Sequence, residues 1–137
     1  MKKIFLLIGI GFIFAQGFSQ EAATAVQQTQ IINAGAQKFN TLLEKTPGAQ
    51  LVDIRTPREY QMGHIKGALN VNFYDPAFKE NLEKLNLDKD KPVFIYCRSG
   101  NRSRRSLEIF KNAGFKTIVH LVYGINDWYR NGYPLTR

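Results

Sequence analysis

The chain carries a single cysteine, Cys97, and its neighbours decide what that thiol can do. It lies in Tyr96-Cys97-Arg98-Ser99-Gly100-Asn101-Arg102-Ser103, just after the apolar run Val93-Phe94-Ile95-Tyr96 and just before a segment of helical character. A helix start offers unpaired N–H groups and the positive end of the peptide dipoles. A loop of this length can turn its amides inward around one atom and form an anion nest. Gly100 permits backbone conformations that other residues resist, and Arg98 and Arg102 add full positive charge. Cysteines placed in this way ionise at about 3.5–7.5 rather than about 8.5. A change of about two units is worth roughly 2.7 kcal/mol, enough for the anion to dominate at neutral pH. The competing reading is a buried small hydrophobe, a common fate of free cysteine. The nucleophile reading expects the sulfur at the mouth of a sheet, within reach of solutes.

The surrounding elements must hold that loop. Val93–Tyr96 is apolar throughout except for a phenol, as expected of a strand buried on both faces of a parallel sheet. Further strands are predicted over 50–54, 68–71 and 116–122. Helices are predicted over 36–44, where Phe39, Leu42 and Leu43 share a face, and over 102–112, ending at Gly114. Asp75-Pro76 opens another helix carrying Phe78, Leu82 and Leu85. One helical turn is predicted over 60–64 and a short last helix over 124–131. Alternating strands and helices predict an α/β domain, with a central parallel sheet of about five short strands and helices on both faces. Ligands bind such sheets at the carboxyl ends of the strands, and Cys97 follows the most buried of them.

Four motifs in order now point to a family. They are Leu51-Val52-Asp53-Ile54-Arg55-Thr56-Pro57-Arg58-Glu59-Tyr60, then Gly63-His64-Ile65-Lys66-Gly67-Ala68, the Cys97 loop, and Gly124 to Trp128. The span from about Ile31 to Pro134 resembles a single-domain rhodanese. The family often has paired glycines before I-x-x-W, and here Tyr123 takes the first place. The resemblance implies a sulfurtransferase: Cys97 takes sulfane sulfur from a small anionic donor such as thiosulfate, holds it as a persulfide, and passes it to a thiol or cyanide. It implies no metal and no organic cofactor. With one cysteine in the chain, the acceptor thiol must come from outside. Arg98, Ser99, Gly100, Asn101 and Arg102 are the implied substrate-binding loop. Arg98, Ser99 and Asn101 point outward as a rim if the amides point in. Loop length disfavours phosphatase chemistry, which needs C-x5-R: that arginine would fall at Ser103, whereas Arg102 gives C-x4-R. A persulfide carrier that docks on a partner and turns over small donors poorly is the second reading.

Several neighbours have more than one reading. Asp53 is expected behind the site, where it orients Arg102, lines the pocket or caps the turn before Pro57. Glu59 caps a helix start, where acids are favoured, or pairs with a loop arginine. His64 reads as a turn histidine satisfied by backbone rather than a base for Cys97, and Phe110 and Trp128 as core. Arg104 and Arg105 are a solvated basic face, or else they steer anions together with Arg98.

Composition bounds the rest. The 137 residues, 44% of them hydrophobic and 22% charged, suit one globular domain and exclude wholesale disorder. A lone cysteine excludes an internal disulfide, and no Cys/His spacing suggests zinc. Lys2-Lys3, the apolar run Ile4 to Ala15, and the small residues Gly17 and Ser19 form the layout of a secretory signal peptide over 1–19. That run is shorter than the ~20 residues a bilayer span needs, so no membrane span is expected after cleavage. Export, with a bacterial periplasm as its destination, is the expectation. Removing Lys2 and Lys3 lowers the net charge from +8 to +6. Residues 20–30 read as a tether or frayed helix and 31–137 as the domain. The basic excess suits a small anion better than nucleic acid, since no aromatic–basic repeat is present.

Overall fold

The structure, a computed structural model, describes residues 28–137. The expected signal peptide and all but the end of the expected tether lie outside those residues. Five strands, β1 (Gln30–Ala34), β2 (Gln50–Asp53), β3 (Leu69–Asn70), β4 (Val93–Tyr96) and β5 (Thr117–Leu121), form one sheet in the order β1-β5-β4-β2-β3. Every pairing is parallel. Helices α1 (Ala36–Glu44), α2 (Pro57–Met62), α3 (Phe78–Lys84), α4 (Asn101–Asn112) and α5 (Gly124–Arg130) follow the strands in turn.

All four residues of β4 are buried, as its apolar run requires of a central strand. Side chains alternate along it: Phe94 and Tyr96 join the core under α1 and α5, whereas Val93, Ile95 and Cys97 join the core under α3 and α4. Phe39 of α1 meets Phe94 edge-on at 5.4 Å and Trp128 of α5 at 6.3 Å. On the other face Phe110 lies between Phe78 and Phe115. Each such pair contributes about 0.5–1.5 kcal/mol beyond its buried area. Phe110 and Trp128 are core residues, as expected.

One strand had no signal strong enough to read. Of β1 only Ala34 is buried, and Ile31 is 38% exposed. An edge strand covered this lightly lacks the alternation that marks a strand in sequence. It begins at Gln30, within the expected tether, and pairs with β5 over five residues. The helical turn expected at 60–64 starts earlier, because Thr56 and Glu59 form a capping box with Pro57 at the first helical position.

Candidate active site

β4 delivers Cys97 to the carboxyl edge of the sheet, and the chain then turns through Arg98, Ser99 and Gly100 into α4. The Cys97 sulfur accepts hydrogen bonds from the Gly100 N–H at 3.1 Å and the Ser103 N–H at 3.4 Å. The Ser103 hydroxyl also lies 3.4 Å away. Two amides and a hydroxyl therefore face the sulfur, rather than a complete ring of amides. Arg98, Ser99 and Asn101 are exposed around it, as inward-facing amides require.

The accessibility expected of the sulfur is not what the structure shows. Cys97 is 1% exposed, with its sulfur turned under the loop. Cys97 packs into the core under α3 and α4, and its sulfur also meets the polar hydrogens of the loop. A donor reaches the sulfur only once the side chain rotates outward or the loop lifts. Beside the loop is a cleft of about 280 Å³ lined by Arg55, Glu59, Met62, Arg98, Ile125 and Asn126.

Two glycines fix the loop against the start of α5. Gly100 has φ 96°, and a Cβ there would lie 1.8 Å from the Val122 carbonyl oxygen. Gly124 has φ 67°, and a Cβ there would lie 2.3 Å from the Arg98 oxygen. The close approach lets the Ile125 and Asn126 N–H groups donate to the Cys97 and Arg98 carbonyls at 2.9 and 3.1 Å. Tyr123, the residue in the place of a family glycine, has φ −108° and is exposed, so it needs no glycine freedom.

Glu59 carries both roles considered for it. It closes the capping box with Thr56 and grips Arg102 through two hydrogen bonds of 2.7 and 2.8 Å. The Arg102 bonds, foremost, hold its carboxyl down at about 2 despite partial burial. The Arg102 guanidinium also lies 5.2 Å from the centre of the Tyr74 ring. It fastens α4 to α2 and acts on Cys97 through space, with no hydrogen bond to the sulfur. Asp53 does not orient Arg102. It is fully buried and binds Arg55, through Nε at 3.0 Å and Nη2 at 2.7 Å, while Nη2 also donates to the Gly63 carbonyl at 2.7 Å. The pair therefore ties the end of β2 to the turn after α2. His64 behaves as a turn residue: its Nδ1 lies 2.9 Å from the Tyr60 carbonyl, and its ring stacks on Tyr60 at 3.7 Å.

Against known proteins, the rhodanese-like domain family matches residues 35–131. The chain belongs to the rhodanese family. It is 36% identical to the uncharacterized protein YqhL of Bacillus subtilis over 129 residues, covering 93% of this chain and 94% of that one. It is 34% identical to a sulfurtransferase of Allochromatium vinosum over 100 residues, or 73% and 90% of the two chains. Among solved structures, the polysulfide-sulfur transferase homodimer of Wolinella succinogenes aligns with a TM-score of 0.64 at 27% identity, covering 77% of this chain and 78% of that one. Membership in the rhodanese family supports sulfur transfer as the class of chemistry.

Two polar residues of this rhodanese site escaped sequence reasoning. Ser103 is fully buried on the inner face of α4, and His120 is 1% exposed on β5. Nε2 of His120 lies 2.7 Å from the Ser103 hydroxyl. The available signal was local: a histidine inside the apolar run KTIVHLV, and serines 103 and 106 at core-facing spacing with Phe110. Burial, and secondarily Arg104, lower the His120 ring to about 4, so it is neutral at neutral pH.

Proposed function

We propose that this rhodanese is a sulfurtransferase that carries sulfane sulfur on Cys97. The observation that carries the reading is the sulfur at the end of a central strand, facing the N–H groups of Gly100 and Ser103. Cys97 attacks the outer sulfur of thiosulfate, the donor S–S bond breaks, and its electron pair leaves with sulfite. The persulfide anion then occupies the polar pocket, where fixed N–H dipoles favour negative charge. An external thiol or cyanide attacks the outer sulfur and restores Cys97, which makes the kinetics ping-pong. Arg98, Ser99 and Asn101 form the rim that meets the donor, and the basic rim draws anions toward the cleft. Purified protein is expected to release sulfite from thiosulfate when cyanide is present, and Cys97→Ser to be inactive. Equal rates in the two would remove Cys97 from the mechanism.

Burial of Cys97 favours a second reading, a persulfide carrier that meets one partner protein and turns over small donors slowly. Stable gain of one sulfur on Cys97 with negligible thiocyanate formation would select it. We also propose export to a periplasm after cleavage of residues 1–19, leaving no membrane span. N-terminal sequencing of the natural protein tests this, and an uncleaved chain would refute it.

A further inference from the structure

The surface around the Cys97 loop carries more than a small anion requires. Met62 at the end of α2, Tyr74 between β3 and α3, and Tyr123 before α5 are 69%, 60% and 64% exposed. Each adjoins the loop through a different element. Met62 shares the 280 Å³ cleft with Arg98. The Tyr74 ring lies 5.2 Å from the Arg102 guanidinium, and the Tyr123 nitrogen lies 3.5 Å from where a Gly100 Cβ would stand. Methionine, tyrosine and arginine are the side chains that protein contact surfaces favour. Tyr123 also stands where the family often has glycine, so it is a feature of this chain. The charge is one-sided. Arg98, Arg104 and Arg105 are exposed, and Arg105 lies 5.2 Å from the ring of Phe73, the neighbour of Tyr74. Of the nearby acids, Glu59 is paired with Arg102, and Asp75 turns toward α3, where it accepts from the Ala77 N–H and the Asn81 amide.

We propose, taking Cys97 as the sulfur carrier, that this surface docks a protein acceptor: an acidic polypeptide that presents a reduced cysteine to the loop. The depth of the sulfur supports a partner of that size. Cys97 is 1% exposed, so discharge needs its side chain to turn out or the loop to lift. A small thiol gains little by touching the loop. A polypeptide covering Met62, Tyr74 and Tyr123 gains contact beyond the reacting atoms, and that binding can drive the opening. A nucleic acid would match the charge but brings no thiol. In the transfer, the acceptor thiol passes its proton to the outer sulfur of the Cys97 persulfide anion as it attacks. The bond between the two sulfurs breaks and its electron pair stays on Cys97 as thiolate. The partner leaves with the persulfide, and no oxidant or reductant enters.

Protein loaded with sulfur by thiosulfate or polysulfide is offered two short peptides, each with one central cysteine, flanked by glutamate and leucine or by lysine and leucine. Transfer to the acidic peptide is expected to be about tenfold faster at low salt, with the advantage shrinking at high salt. That order opposes intrinsic reactivity, since neighbouring lysines favour the thiolate. Tyr74→Ser combined with Tyr123→Ser is expected to lose about tenfold in kcat/KM for the acidic peptide, while discharge by cyanide, which needs no docking, stays within about twofold. Equal use of the two peptides by protein that cyanide discharges normally would overturn the docking surface and leave the Cys97 chemistry standing; failure to load sulfur would instead remove the Cys97 reading. Docking is also read without transfer, from amide chemical shifts of the reduced protein titrated with the acidic peptide carrying serine for cysteine. Shifts centred on Met62, Tyr74 and Tyr123 are expected. No shifts, shifts centred elsewhere, or equal shifts with a polyuridylate oligomer would overturn the assignment.

Discussion

The Glu59–Arg102 clamp can be tested as a charge that stabilises the fold only where the carboxyl is ionised. Glu59→Gln keeps the shape and removes the charge. In the folded protein the carboxyl sits at about 2, against 4.5 for the free group, with the Arg102 hydrogen bonds as the first cause. That interval is worth about 3 kcal/mol in full. The Glu59 side chain is 26% exposed, so solvent screening reduces it to about 2 kcal/mol. For a domain of this size the loss at pH 7 is about 10 °C in Tm. The folded value lies below the unfolded one, so the contribution is complete above the unfolded value and fades as pH falls toward 2. The gap between wild type and variant should therefore drop to less than half by about pH 3. Thermal and urea unfolding from pH 7 to pH 3 read it directly. A gap that stays constant over that range, or no gap at pH 7, would refute the electrostatic account of the clamp. Arg102→Met should abolish the effect of Glu59→Gln, as expected for a contacting pair.

Other outcomes follow from the same geometry. Asp53→Asn leaves the Arg55 guanidinium buried beside a weaker partner and should cost about 3–5 kcal/mol by denaturant unfolding; a loss under about 1 kcal/mol would mean water replaces the pair. Gly100→Ala should lose at least about 2–3 kcal/mol and most transfer activity, from positive φ together with collision against the Val122 oxygen; an unperturbed variant would show the loop to be slack. Arg98→Ala should leave stability within about 0.5 kcal/mol while raising KM for thiosulfate and flattening its salt dependence; a fall in kcat alone would place Arg98 at the chemistry rather than at the rim.

The sequence was most legible where burial was strongest. Val93–Tyr96 coincides with β4 residue for residue, because a strand covered on both faces needs an unbroken apolar run. The helix at 36–44 was equally plain, its Phe39 and Leu42 marking one face. β1 was not legible, since an edge strand with one buried residue leaves its evidence in backbone pairing with β5. Within the site, Cys97 and its loop were marked by residue type and spacing, and pairing of Glu59 with a loop arginine was one of two roles expected for it, with Arg102 identified as the partner only by the fold. The choice among side-chain partners was harder. Asp53 and Arg55 are near neighbours in the chain, yet only the fold shows that Arg55, not Arg102, claims the Asp53 carboxylate. Ser103 and His120 read as an ordinary helix serine and strand histidine until β5 and α4 bring them to 2.7 Å. The depth of the sulfur was likewise hidden, because chain pattern places the loop at the sheet edge but does not say which way the Cys97 side chain turns.

The account depends most on sulfur becoming covalently attached at Cys97. Intact-mass analysis of reduced protein after incubation with thiosulfate measures it directly. The account predicts gain of one sulfur atom, removed again by cyanide and absent in Cys97→Ser. An unchanged mass in folded wild-type protein with its thiol free and reduced, under every thiosulfate or polysulfide donor offered, would contradict it.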